Sequence, residues 1–316
     1  EESSTILKPI KEDLDNGKVI LEKLSNTLEY LGNNDFNCFY SGDIASEVLK
    51  TIKDEGGHAS NDDFESYKLI HDSKFNYSYK NLNITGHNGP SIGGLMVLKY
   101  LDIFNSNHED ITKELIDVYI YRKDNLEYFG DRKNKIRKDI KKIISSPSTV
   151  QVSTSDTDNN HFSITFSSGY GSGVVCKNTG MYFNNSLGEM ELNPQGFLGE
   201  TNGERLISNM SPLIIKTADG INTIGSPGAD RISSSLALVI NNFTQNKDWK
   251  ESINKPRYHV NMDGSIRAEP GVKNISNNLT VTEPNDMYFG GVCVTGIDAE
   301  LFTYGDKRRG DATWKN

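Results

Sequence analysis

Apolar residues recur at spacings of three and four between Leu14 and Leu31, at Ile20, Leu21, Leu24, Leu28 and Leu31, which predicts an amphipathic helix over 14–31. The pattern repeats over Asp43–Glu55 with Ile44, Val48, Leu49 and Ile52, and Gly56-Gly57 ends it. Ser60–Tyr67 predicts a short helix with Ser60 as its N-cap. Tyr77–Thr85 alternates with the period of a strand, and the glycine-rich run 86–94 leads into a helix beginning LMVLKYLDIF. Helical periodicity then continues to about Ile144.

After residue 148 the period changes. Thr149–Asp156 and His161–Ser167 alternate as two strands joined by Thr-Asp-Asn-Asn, a strong hairpin signal. A short strand is expected at Met181–Phe183, and a second hairpin pairs Leu213–Lys216 with Asn222–Ile224 across Ala-Asp-Gly. Gly225-Ser226-Pro227-Gly228-Ala229 then leads into a helix over Arg231–Phe243. Helices thus segregate from antiparallel strands, which predicts an α+β layered fold divided into a helical part, 1–148, and a sheet-rich part, 149–316.

The 316 residues suit one large domain or two ordinary ones, and the 14 Tyr and 13 Phe supply core area that a 35% hydrophobic composition would otherwise lack. A formal charge of −9 argues against a nucleic-acid partner, since phosphate binding needs clustered Lys and Arg. The one basic stretch, Arg132–Lys142, reads as the solvated face of a helix. Three isolated cysteines and six scattered histidines show neither a disulfide framework nor metal-ligand spacing. No apolar run approaches the roughly 20 residues of a membrane span. The opening EESSTILKPIKEDL has the form of neither a signal nor a transit peptide, so a cytoplasmic location is the face-value expectation.

Three places could carry chemistry. Thr149 opens a strand after the flexible Ser145-Ser146-Pro147-Ser148. A chain cut between Ser148 and Thr149 would give Thr149 an α-amino group, titrating near about 8, as a base within one residue of its hydroxyl. Without a cut, Thr149 is an ordinary β-branched strand opener. The 225–229 turn could aim backbone N–H groups at an oxyanion, or serve only as a tight connection. In the polar loop Asn184–Glu191, Glu189 could hold a substrate ammonium or be merely solvated.

In their order along the chain these segments resemble the γ-glutamyltransferase family of N-terminal-nucleophile hydrolases. The match runs through Thr149 and the Asp156-Thr157-Asp158-Asn159 turn to Tyr170-Gly171-Ser172-Gly173 and Asn178-Thr179-Gly180 with Asn184-Asn185. It continues through Ser208-Asn209-Met210-Ser211-Pro212, the 225–232 turn, Pro256-Arg257-Tyr258-His259 and Phe289-Gly290-Gly291-Val292. The helical part agrees at Phe39-Tyr40-Ser41-Gly42-Asp43-Ile44-Ala45, at Gly56-Gly57 with Asp63–Tyr67, and at Gly89–Gly94.

The resemblance implies an αββα N-terminal-nucleophile fold and a self-processing acyltransferase or amidohydrolase without metal or organic cofactor. The cleaved halves would stay associated as a heterodimer, and the substrate would be a small γ-glutamyl amide or a related molecule. It implies that Thr149 is both the processing residue and the nucleophile. Ser167 would hydrogen-bond Thr149, and Gly228 and Ala229 would form the oxyanion hole. Ser208 and Asn209 would meet the substrate α-carboxylate, and Glu189 its α-amino group. The family's long N-terminal part, with its carboxylate-binding arginine, has no counterpart in this sequence. The first hairpin is about two residues short and lacks an expected substrate-binding Asn. Asn209, Ala229 and Glu189 replace Ser, Gly and Asp. These departures leave open a related amidase with another acyl donor, and a non-catalytic relative that kept the fold.

Overall fold

The computed structural model describes residues 14–15, 18–19, 21–71, 74–88, 91–105, 112–113, 115–118, 120, 149–189, 205–261, 263–273, 275, 279–298, 300–310 and 312–314. The expected helix up to Ile144 beyond residue 120, and with it the basic stretch 132–142, lies outside these residues, as does Ser148. Residues group into two compact units, 1–72 with 168–186, and 73–167 with 187–316.

In the first unit the predicted helix over 14–31 is shorter than its pattern. Leu14–Asp15 (β1) pairs antiparallel with Lys18–Val19 (β2), and the helix α1 runs only over Glu22–Asn33. Helix α2, Asp43–Asp54, follows its prediction. Helix α3, Asn61–Glu65, starts on the expected cap. The Ser60 hydroxyl accepts from Asp63 N, and the Asp63 carboxylate accepts from Ser60 N at 2.8 Å. Hydrogen bonds from Ser60 hold the Asp63 carboxyl below its ordinary pKa. Ile44, Val48 and Cys176 form a small core, joined by Phe39, Ile52, Phe64, Met181 and Phe183. The strand expected at Met181–Phe183 is reduced to one bridge, Val175 to Tyr182. Gly180, at φ +69, lets the chain pass α1 so closely that a Cβ would lie 2.6 Å from Leu24 N.

The second unit holds a six-stranded antiparallel sheet. The run expected as one strand over 77–85 is two: β3, Lys74–Tyr79, turns at Lys80, which takes φ +52, and returns as β4, Leu82–His87. Helix α4 covers Gly93–Phe104. Strands β5 (Val150–Ser155) and β6 (His161–Phe166) form the first predicted hairpin, and β7 (Leu213–Lys216) and β8 (Ile221–Gly225) the second. Helix α5, Arg231–Asn246, outlasts its prediction by a turn to a left-handed cap at Lys247, and α6 covers Trp249–Asn254. The remaining strands are β9 (Tyr258–Val260), β10 (Ile266–Ala268), β11 (Leu279–Val281), β12 (Cys293–Ile297) and β13 (Leu301–Tyr304). The large sheet has the order β13-β12-β8-β7-β4-β3, while β11-β10-β9 and β5-β6 are separate.

One face of the large sheet packs on helices. Leu82, Ile84, Leu213, Ile215, Ile224 and Val294 share a core with Val97 and Leu101 of α4 and Leu236 and Ile240 of α5. Successive strand residues face opposite ways, so Gly225, next to Ile224, opens on the other face. Hairpin β5–β6 covers that face. The Gln151 side chain lies where a Cβ on Gly225 would be only 2.1 Å away, and the Ser163 hydroxyl donates to Ile224 O at 3.1 Å. No helix among the described residues is long and apolar enough to cross a membrane.

Candidate active site

Thr149 stands one residue before β5 and is 7% exposed. In the β5–β6 register Val150 faces Phe166, so continuing one step places Thr149 across from Ser167. Their hydroxyls are 3.1 Å apart, with Thr149 Oγ1 donating to Ser167 Oγ. The pairing follows from hairpin length. Asp156, at the tip, accepts from Asn160 N at 2.9 Å and from its amide, which keeps the Asp156 carboxyl below its usual pKa and closes the loop.

Between hairpin and sheet the inner positions are polar. The Gln151 amide donates to Ser153 Oγ at 3.1 Å and to Ser163 Oγ at 3.0 Å, and its carbonyl accepts from the Thr165 hydroxyl. Cys293 of β12 lies 3.5 Å from Ser153 Oγ, and burial pushes its thiol pKa up. A neutral buried thiol is a weak nucleophile, so burial makes Cys293 a poor candidate for the reactive group.

The turn after β8 has backbone angles few residues adopt. Gly228 takes φ +133 and Ala229, which carries a Cβ, takes φ +52 before α5 begins. Arg231 N donates to Gly228 O at 2.9 Å. The turn interlocks with Phe289-Gly290-Gly291. The buried Ser226 hydroxyl donates to Pro227 O at 2.7 Å and accepts from Gly291 N at 3.2 Å. A Cβ on Gly290 would fall 2.3 Å from Pro227 O, so only glycine permits this approach. Buried charges hold the second loop. Arg257 donates to Phe289 O at 3.0 Å and pairs with Asp306 at 2.5 Å, while Arg308 pairs with Glu269 at 2.5 Å. Asp306 also accepts from Val292 N at 2.9 Å. Burial lowers the Arg257 pKa to about 10, which still leaves it charged at neutral pH.

Ser208 and Asn209 lie on an extended strap beside α4. Ser208 bridges Ser91, its carbonyl accepts from Ile92 N at 2.8 Å, and its hydroxyl accepts from Met210 N at 3.0 Å. Asn209 is buried, and Gly93 admits the strap because a Cβ there would lie 2.1 Å from Asn209 O. Glu189, expected either to hold a substrate ammonium or to be merely solvated, is 6% exposed, which speaks against the second. The structure therefore joins Thr149 to Ser167 directly and sets their hairpin on the sheet that ends in the 228–229 turn. Ser208, Asn209 and Glu189 are buried or half-buried polar groups on other segments.

Three contributors were not singled out from sequence: Gln151, Asp230 and His259. Gln151 had a signal, as a polar residue at an inward strand position next to a glycine on the facing strand. His259 Nε2 lies 3.3 Å from Asp230 Oδ2 across 29 residues, and no local pattern reveals such a pair.

Known proteins identify the family and the fold. A family model described as Gamma-glutamyltranspeptidase matches residues 2–123 and 120–310. The glutathione hydrolase proenzyme of Bacillus subtilis (strain 168) is 25% identical over 364 aligned residues, covering 95% of this chain and 62% of that protein. The glutathione hydrolase proenzyme of Escherichia coli (strain K12) is 24% identical over 327, covering 86% and 56%. The chain thus spans about three-fifths of the length of these relatives. A cephalosporin acylase from Bacillus halodurans has a similar structure, with a TM-score of 0.76 and 18% identity, over 98% of this chain and 66% of that one. That likeness shows the fold, the layered α+β arrangement of N-terminal-nucleophile hydrolases.

Proposed function

The chain belongs to the γ-glutamyltranspeptidase family, and from that premise we propose that it is the greater part of a self-processing acyltransferase or amidohydrolase whose nucleophile is Thr149. Processing begins when Thr149 Oγ attacks the carbonyl carbon of Ser148. The peptide C–N bond breaks as the amide nitrogen leaves as the free α-amine, and water then hydrolyses the resulting ester. Residues 1–148 and 149–316 become two chains that stay together. The new amine takes the proton from Thr149 Oγ as it attacks an amide substrate, and passes it to the leaving amine. Gly228 and Ala229 N–H stabilise the oxyanion. Water or a second amine then releases the acyl group.

The observation that carries this reading is the 3.1 Å hydroxyl pair of Thr149 and Ser167 at the mouth of a rigid hairpin. A buried hydroxyl held by one partner is aligned before reaction, which lowers the entropic cost of attack. Glu189, Ser208 and Asn209 are the proposed contacts to the ammonium and carboxylate of a γ-glutamyl group. The natural full-length protein, purified and run on a denaturing gel, should give two bands, the smaller beginning at Thr149 by N-terminal sequencing. Thr149→Ala should give one. A single band from the wild type overturns the reading.

A second acyl donor is favoured by one set of residues. Asn209 and Glu189 differ in size from the family pattern at the substrate positions, and Ala229 does so in the oxyanion turn. Comparing release of aniline from γ-glutamyl anilide and from glutaryl anilide separates the two. Faster turnover of the glutaryl compound, which lacks the α-amino group, would remove Glu189 from its role.

A further inference from the structure

Ala229 sits in the left-handed region at φ +52, a conformation disfavoured for a residue with a Cβ. Such a residue persists where its surroundings over-determine it. What does so here is the residue that follows. One Asp230 carboxylate oxygen is contacted by the Arg231 guanidinium, and the other lies 3.3 Å from His259 Nε2. The opposite ring nitrogen, Nδ1, is 2.9 Å from Ser234 Oγ, which itself donates to Arg231 O at 3.1 Å. His259 therefore bridges the end of the turn and the first turn of α5 from strand β9. Arg231 is held in turn by Tyr288, donating to its carbonyl at 3.2 Å with the guanidinium 4.7 Å over its ring.

Serine, histidine and aspartate in a row suggest a nucleophilic triad, but the burial argues otherwise. Ser234 is 1% and His259 2% exposed, and the serine lies within a helix, so no substrate reaches it. The set is a clamp. A carboxylate only accepts hydrogen bonds, so Nε2 carries the proton that faces Asp230.

We propose that His259 and Asp230 are positioning residues that hold the N–H groups of Gly228 and Ala229 in place for the oxyanion. This rests on the reading of that turn given above. Removing the clamp would let Ala229 relax toward negative φ and rotate its N–H off target. A glycine at 229 has no such tendency, because the left-handed region costs it nothing sterically. Rescue by Ala229→Gly is therefore the signature of the clamp.

The test uses the natural full-length protein and counts active sites by covalent labelling of Thr149 with an electrophilic acyl probe. His259→Leu should slow self-cleavage and lower kcat per labelled site by roughly 10- to 100-fold, short of the roughly 100- to 1,000-fold loss of a missing oxyanion donor, with KM little changed. Adding Ala229→Gly to His259→Leu should restore most of that rate. Asp230→Asn, nearly isosteric, should show a smaller loss with the same rescue, and it carries the test if His259→Leu does not fold. A merely structural role would lower the labelled fraction or the Tm while leaving kcat per site unchanged. That result, or a kcat loss that Ala229→Gly does not relieve, overturns the proposal while the enzyme reading stands. A wild type that neither cleaves itself nor turns over anilides overturns both.

Discussion

Hairpin β7–β8 lies inside the large sheet, flanked by β4 and β12, and its apolar side chains Leu213, Ile215 and Ile224 point into the helical core. Hairpin β5–β6 is built from an equally regular alternation but is turned the other way. Its apolar positions face outward, with Val150 44%, Val152 39%, Phe162 56%, Ile164 38% and Phe166 49% exposed. The inner positions are Gln151, Ser153, Ser163 and Thr165, which hydrogen-bond one another and the sheet. Period two identifies a strand in both cases. It does not say which face is buried. In the second hairpin hydrophobic burial decides the orientation, whereas in the first a polar seam does. The difference is physically affordable because each inward polar group has a partner, so burial leaves it satisfied rather than stranded.

The contrast can be broken by substitution, with chemical denaturation as the measure. Ile224→Ala, at a fully buried position of β8, should cost about 2–5 kcal/mol through lost burial and a residual cavity. A cost below about 1 kcal/mol would mean that β8 is not the packed centre. Gly225→Ala should cost about 1–3 kcal/mol, since its new methyl meets the Gln151 side chain at 2.1 Å. Shortening Gln151 to Ala in the same protein should recover part of that, and strictly additive effects would disprove the contact. Thr165→Val keeps shape but removes the hydroxyl that donates to Gln151, and should cost about 1 kcal/mol or slightly more. Phe162→Thr on the outer face should stay within roughly 0.5 kcal/mol, as surface changes do. An outer-face cost equal to that of Ile224→Ala would erase the distinction between the hairpins.

Much of the candidate site was legible before any coordinates. The family resemblance implied that Ser167 partners Thr149, and the strand bounds read from the alternation, Thr149–Asp156 and His161–Ser167, miss the observed register by one residue, because Ser155 and not Asp156 pairs with His161. The N-cap at Ser60 was legible because it depends on hydrogen bonds within a few residues, and the glycine turn into α5 because glycine and proline mark turns, although its contacts with Gly290 and Gly291 were not. Where a reading failed, a nearby competitor had been weighed too lightly. The β1–β2 pair takes the place of the expected first turns of α1, and the turn at Lys80 split one expected strand into two. For Glu189 loop membership left burial open, and the structure disfavours the merely solvated alternative.

The sequence by itself indicated the two hairpins, the helices α2, α3 and α5, their order along the chain and the glycine turn before α5. All of these rest on short-range backbone geometry and on the residue types that geometry admits. The tertiary structure alone decided that β5–β6 buries its polar face, that Gln151 seats on Gly225, and that His259 reaches back 29 residues to Asp230. These are contacts between side chains distant in the chain. Their energy depends on which surfaces meet after folding, and a periodicity of two or 3.6 carries no information about that.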